Sequence, residues 1–396
     1  MKKVLAGIAK GLALLVLAVI AVAAVMSVSP IYRFSAPEPF DGPDIFNPYE
    51  NLDRTAGWKR ANFHTHTKVD GIFNECDFTA AQTDSCLRRF GCDIVTFSNH
   101  NELTEHPYDT SLQVNVYEHG YNLFKYHKLV FGCDEVWRFD HLLPFLASQR
   151  QFQLDRLGRK SEFIQLNHPF RTNFTTRDVM EKLTGYRITE LDSGVTTEQD
   201  YWDWSLSAGH YTFALANDDL HHPDRSDCIA VRCNFLNSLS ARYEDIRETL
   251  LSGRYYCMRI PDYGNGDWET KAAGNADLPG IDDIGMRGDT IFLHLDRPAA
   301  YVRVYGQGHT VLDESAEIRD YEYVFAPEDR YARLTAYFVD GAVIYTNPFA
   351  RFDSSVSETP YVCARHETDI VLTLVFNLLL VLAVAACVAL GRRICR

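Results

Sequence analysis

An unbroken apolar run stands at each end of this 396-residue chain. From Val4 to about Val28 the only charge is Lys10, and from Ile370 to Leu390 only Thr373 and Asn377 interrupt the apolar side chains. Either run can cross the roughly 30 Å hydrocarbon core of a bilayer. A buried globular helix would explain one such run, but two runs at the extreme ends, each flanked outwardly by basic residues, predict membrane anchors. Lys2 and Lys3 precede the first, and Arg392, Arg393 and Arg396 follow the second. Basic residues accumulate on the cytoplasmic side, so both termini are expected in the cytoplasm and the body between them on the exoplasmic side. The segment AVAA also offers a small-residue cleavage site near Ala23, which makes the first run a candidate signal peptide as well.

The body is globular by composition, since 46% of the chain is apolar or aromatic and can bury a sizeable core. A net charge of −14 argues against coating nucleic acid, because phosphate backbones are bound chiefly by clustered Lys and Arg. Eight of the ten cysteines lie in the body, namely Cys76, Cys86, Cys92, Cys133, Cys228, Cys233, Cys257 and Cys363. An even number outside the membrane suits disulfides, although buried thiols explain several of them equally well, and none of the spacings forms a metal knuckle.

Residues 29–57, rich in Pro, Asp and Asn, read as a linker. From Trp58 to about Pro261, short apolar runs alternate with helix-like stretches. The runs are Asn62 to His66, Ile94 to Ser98, Val114 to Glu118, Lys128 to Phe131, Phe163 to Asn167, Ile188 to Leu191 and Thr212 to Ala216. Helices are expected around Ala81 to Phe90, Leu143 to Leu157, Thr176 to Leu183 and Asp200 to Ser207. Repetition of this kind predicts an α/β fold with a largely parallel sheet or barrel over 58–261. A Gly- and Asp-rich stretch, 262–288, reads as a second linker. Period-two alternation at Ile291, Leu293 and Leu295, with a hairpin signal at Asp340-Gly341, predicts a small antiparallel β domain over 289–352.

Histidines and acids concentrate at the predicted strand ends, the rim on which parallel α/β barrels build their sites. His64 and His66 end the first strand in NFHTHTKVDG, two residues apart and therefore on one side of an extended chain, with Asp70 just beyond. His100 follows the second strand in FSNHNE, Glu118 ends the third, and His127 precedes the fourth. His168 closes the fifth in QLNHPFR, and Asp219 with His221 closes the seventh in ANDDLHH. Imidazole with carboxylate suits a borderline divalent ion such as zinc, manganese or iron.

In this order the residues resemble the signature of the polymerase-and-histidinol-phosphatase (PHP) family: His-x-His with a downstream Asp-Gly, Asp-His-Asn, a Glu, a His, a His-Pro and a final Asp-x-His. The resemblance implies a distorted seven-stranded β/α barrel and a cluster of two or three divalent metal ions. It implies His64, His66, Glu118 and Asp219 around one ion, Glu118 with His127 and His168 around a second, and Asp70, His100 and His221 around a third. One position departs from the pattern, since Asn99 stands where the family has Asp before the second-strand His. That removes a carboxylate expected to support His100. Hydrolysis of a phosphate ester by a metal-bound hydroxide is the implied activity, without a Ser or Cys nucleophile. Arg171 is the candidate for an added phosphate contact, a surface salt bridge being its competing reading. The expected substrate is a phosphorylated small molecule, a lipid-linked phosphate or an envelope glycan.

Two other classes compete with the enzyme. One is a PHP-like domain that binds metal or senses a ligand without turnover, which Asn99 favours and the full ligand set opposes. The other is an envelope-binding protein that recognises its target through Tyr301, Tyr305, Tyr321 and Tyr323 of the β domain. Between the two acidic candidates for bridging the metals, Glu118 with His127 is preferred to Glu135 with His141, which lie beyond the fourth strand.

Overall fold

The computed structural model describes residues 2–71, 74–193, 196–197, 199–262, 266–361 and 365–396. Cys363 lies outside the described residues, and the other nine cysteines are free thiols. Cys92, Cys133, Cys233 and Cys257 sit inside the apolar cores, where burial raises their pKa, so they pack as small hydrophobes and not as bridges.

All seven expected strands form, at Lys59–Asn62, Ile94–Val95, Val116–His119, Lys128–Phe131, Phe163–Leu166, Ile188–Ser193 and Phe213–Asn217. They do not close into a barrel. The last five form one sheet in the order Phe213–Asn217, Ile188–Ser193, Phe163–Leu166, Lys128–Phe131, Val116–His119. The first two pair in parallel with each other and belong to a larger, eleven-stranded sheet. Among the described residues, the isolated bridges Thr65↔Leu220 and His100↔Glu118 link the rims of the two sheets, and Asn234 Nδ2 donates to the Ala216 carbonyl between them at 2.9 Å. The first strand is drawn away by Arg232–Leu236, which pairs with it antiparallel. Beyond Asn62 and Val95 side chains supplement a backbone bond from the Ser98 amide to the Thr65 carbonyl at 2.8 Å, with Ser98 Oγ accepting from the Thr65 amide at 3.0 Å and Asn99 Oδ1 from the Thr67 amide at 2.7 Å.

The smaller sheet is also less parallel than expected, because Lys128–Phe131 runs antiparallel to both neighbours. Its N-terminal end therefore lies at the rim where its neighbours end or begin, which explains how His127, preceding its strand, joins residues that follow theirs. Gly120, at φ +120°, permits this approach, since a Cβ there would come within 2.9 Å of the His127 ring. The helices Ala80–Arg88, Ala147–Gly158, Arg177–Met180 and Asp200–Ser207 fall where expected. The first begins at a capping box between Thr79 and Gln82. The helix Tyr243–Ser252 stops at Gly253, which takes the left-handed conformation at φ 83°.

Both stretches read as linkers are structured. Residues 262–288 hold the helix Trp268–Ala276 and the strand Ile281–Arg287. Within 29–57, Asp44–Phe46 pairs with Phe349–Phe352, and the buried Tyr49 hydroxyl donates to the Tyr255 carbonyl at 3.1 Å. Low apolar periodicity misled here, because these segments are held by edge pairing and single anchors. The C-terminal strands are not a sheet of their own, since Val343–Thr346 pairs with Tyr255–Arg259 and continues the larger sheet. Tyr305 and Tyr321 are buried, which places them in packing and not on a recognition surface.

Two helices, Lys3–Val25 and Ile370–Cys395, are long and apolar enough to cross a membrane, and almost none of their residues are buried. They run antiparallel. The two residues that interrupt the second run clasp the chain leaving the first: Thr373 Oγ1 accepts from the Ile31 amide at 2.8 Å, and Asn377 Nδ2 donates to the Ser29 carbonyl at 3.0 Å. Tyr32–Phe34 then pairs with His366–Thr368, so both helices join the body at one place.

Candidate metal centre

Glu118, only 1% exposed, is the centre of the site. Its Oε1 lies 3.2 Å from His64 Nε2, 3.1 Å from His127 Nδ1 and 3.4 Å from His168 Nε2, and its Oε2 lies 3.3 Å from His66 Nε2 and 3.2 Å from His100 Nε2. Asn167 Nδ2 also donates to Oε1 at 2.9 Å. Asp219 Oδ1 stands 3.1 Å from His64 Nε2 and 3.4 Å from His66 Nε2. Two rim residues hold left-handed backbone, His168 at φ 26° and Asp219 at φ 51°. Strain of this kind persists where surrounding contacts over-determine it. At His168, the Glu190 carboxylate fixes the backbone by accepting from its amide at 2.9 Å.

Among the described residues, four groups bring together ligand atoms within 4.8 Å of one another: His64, His66, Glu118 and Asp219; His100, Glu118 and His127; His64, His168 and Glu190; and His66, Glu75 and His221. The first coincides with an expected ligand set. In the second, His100 joins Glu118 and His127 where His168 was expected, and His168 instead falls with His64 and Glu190. The third expected set loses Asp70, which is exposed and belongs to none of these groups. Glu75 takes its place, with Oε2 at 3.1 Å from His100 Nε2 and 3.0 Å from His221 Nε2. Five residues past Asp70 and off any strand end, Glu75 carried no sequence signal.

Glu190 was missed too, although it lies on an expected strand. It accepts from His64 Nδ1 at 3.0 Å and from Asn217 Nδ2 at 3.0 Å, orienting the imidazole as a carboxylate behind a metal-ligating His does. Its signal was a lone acid within the apolar run ITEL. Asp218, next to Asp219, turns away and accepts from the amides of Ala230, Val231 and Arg232 at 2.7 to 3.0 Å. Asn99 does not support His100: its Nδ2 donates to Thr67 Oγ1 at 2.7 Å and Thr104 Oγ1 at 2.6 Å. Glu135 is exposed and paired with Lys160, and His141 donates to the Met26 carbonyl, so both stand outside the site.

The donor set fits divalent metal ions. Nε2 of His64, His66 and His127 is buried without a hydrogen-bond partner, although carboxylate oxygens lie within ion-pair distance of the first two. Orphaned polar atoms are rare in an interior, and those of His64 and His66 converge on the shared carboxylates of Glu118 and Asp219. Burial pushes His127 down to about 4 and, with the neighbouring His221, lowers His66, leaving neutral rings with lone pairs to offer. Burial opposes charge on Glu118 and Asp219 as well, yet the surrounding imidazoles hold both well below the ordinary carboxylate range.

Above the centre opens a pocket of about 490 Å³, rimmed by Lys125, Arg171 and Arg225. The Arg171 guanidinium, with 37% of its side chain exposed, pairs with Asp219 Oδ2 and lines this pocket. Cys228 also lines the pocket, but burial raises its thiol pKa and disfavours the nucleophilic thiolate.

No family model matches the chain, and no curated protein matches it. Among solved structures, it is similar to a two-domain protein from Bacteroides vulgatus described as containing a predicted PHP-like metal-dependent phosphoesterase. The two are 13% identical, the match covers 79% of this chain and 99% of that one, and the TM-score is 0.38.

Proposed function

We propose that this chain is a metal-dependent phosphoesterase anchored in a membrane by both ends, with its body on the exoplasmic side. The observation that carries the reading is a single buried carboxylate, Glu118, within 3.4 Å of five imidazoles at the floor of a pocket rimmed by three cationic side chains. His64, His66, Glu118 and Asp219 would hold one ion, and Glu118 with His100 and His127 a second. Glu75 with His221 supports a third, where Asp70 was expected.

Bound zinc, manganese or iron would polarise a phosphoryl oxygen and acidify water for attack on phosphorus. The remaining work falls to the chain. Glu118 would offset the charge of the cations held beside it. Glu190 holds His64 in the tautomer that presents Nε2 to the site. Arg171, Lys125 and Arg225 draw the anionic group into the pocket, and Arg171 has its planar fork of donors already placed beside Asp219.

The test uses the full chain in detergent. At least two divalent ions per chain and turnover of an activated aryl phosphate are expected, with loss of turnover on chelation. A folded, metal-replete sample that hydrolyses neither monoester nor diester would end the reading. Topology is checked separately: protease added to intact spheroplasts should cut the body before the membrane is permeabilised.

A further inference from the structure

The proposed phosphoesterase site opens beside a surface that is itself shaped for a membrane. The chain leaves the first apolar helix at Val25, and the body grips it at once. His141 Nδ1 donates to the Met26 carbonyl at 2.6 Å, Gln149 Nε2 donates to the Ser27 carbonyl at 3.2 Å, and Ser148 Oγ accepts from the Tyr32 amide at 3.0 Å. The surface around residues 139–149 is therefore fixed at the level where that helix leaves the bilayer.

Five large apolar side chains stand out from the same surface: Leu123 at 65% exposure, Phe145 at 64%, Phe174 at 51%, and Phe139 and Leu146 at 38% each. They form one patch. The Leu123 amide donates to the Leu142 carbonyl at 3.2 Å, and the Phe124 ring touches both Phe145 and Phe174, at 4.9 and 3.8 Å between centroids. Buried Arg150 locks the segments together, donating to the carbonyls of Pro144 and Phe174 and to the Thr175 hydroxyl. A clustered, aromatic-rich apolar surface requires a cover, and continuity with the helix exit supplies the bilayer interface as that cover.

Two loops carry both the patch and the pocket rim. One presents Leu123 to the patch and Lys125 to the pocket. The other runs from His168 and Arg171 at the site to Phe174 in the patch, and Thr172 Oγ1 ties the two by donating to the Phe124 carbonyl at 2.8 Å. Lys125 and Arg171 at the pocket thus stand two and three residues along the chain from Leu123 and Phe174 in the patch.

We infer that the patch seats on the bilayer and that the substrate is an amphiphile, a phosphate ester whose apolar tail stays in the membrane. This rests on the phosphoesterase reading, and the experiment separates the two. The full chain, wild type and Leu123→Glu/Phe145→Glu, is reconstituted in phosphatidylcholine vesicles containing phosphatidic acid or phosphatidylglycerol, and a soluble aryl phosphate is assayed in parallel. Turnover of a lipid by the wild type, falling about tenfold or more in the variant while aryl phosphate turnover stays within twofold, is expected, since burial of two apolar side chains is lost. Seating is read without activity: in Phe145→Trp the added fluorescence should be quenched by phosphatidylcholine brominated near the headgroup.

Aryl phosphate turnover without lipid turnover overturns the substrate class and leaves the phosphoesterase reading standing. Equal losses on both substrates, or no loss, overturn the role of the patch. Absence of all turnover ends the phosphoesterase reading and the substrate class with it. Absence of quenching overturns the seating.

Discussion

The cluster around Glu118 and the cluster around Asp203 each centre on a carboxylate at almost zero exposure, yet one is complete and the other is not. Asp203 accepts from the Tyr331 hydroxyl at 2.7 Å and from Arg333 Nε at 3.0 Å, and its second oxygen meets His309 and the Arg333 fork. Arg333 NH1 in turn donates to Gln199 and Thr335. Every charge has its counterpart, and the group ties the helix Asp200–Ser207 to the strand Tyr331–Tyr337. Around Glu118 five imidazoles crowd one carboxylate, Asp219, Glu190 and Glu75 each meet only one or two of them, and buried ring nitrogens are left without hydrogen-bond partners. Buried charge that is fully paired holds elements together, whereas buried donors left over require a ligand from outside.

That contrast is open to attack at several points. The largest effect is expected from Glu118→Ala, which should lose bound metal and activity by more than about a hundredfold while remaining folded. Glu135→Ala should keep its metal, and metal analysis of both purified variants compares them directly. Metal loss in the Glu135 variant alone would move the centre elsewhere.

Asp203→Ala should do the opposite, lowering stability by about 3–5 kcal/mol because Arg333 is left buried and unpaired, with metal content per folded chain unchanged. Denaturant melts measure the first quantity. A loss of metal without a loss of stability would show that the two clusters are not separate in role.

Glu190→Gln keeps the shape behind His64 but not the charge, and is expected to weaken metal affinity by about 10–100-fold, read by competition with a chelator. The pH dependence of stability is a gentler probe. Arg333 and His309 overcome burial and hold the Asp203 carboxyl below its ordinary value of 3.8. The ionised form therefore stabilises the fold fully above that value, and its contribution is lost as pH falls through the lower folded value. Thermal melts from pH 5 down to 3 should show a shallower decline in Asp203→Asn than in the wild type. The smallest effect belongs to Asn99→Asp, about 1 kcal/mol or less, since the hydroxyls of Thr67 and Thr104 can turn to donate to a carboxylate. Metal content should not change.

The apolar ends and the strand-end histidines were legible in the sequence because they follow from local rules. A run of some twenty apolar residues has few other uses, and residues at i and i+2 of an extended chain share a side wherever that chain lies. Local spacing placed His64 and His66 on one side, and the grouping with Glu118 and Asp219 was what the PHP resemblance implied. Tertiary structure decided what had no local spacing. Glu75, and not Asp70, meets His100 and His221. Glu190 reaches His64 across the interior from another strand. The barrel stays open because Arg232–Leu236, far along the chain, pairs with its first strand. The apolar patch is assembled from residues 123, 139, 145, 146 and 174, which acquire a common surface only when Arg150 and Phe124 bring their loops together. Pairings between distant segments are chosen by the packing of the whole chain, and no periodicity within one segment records them.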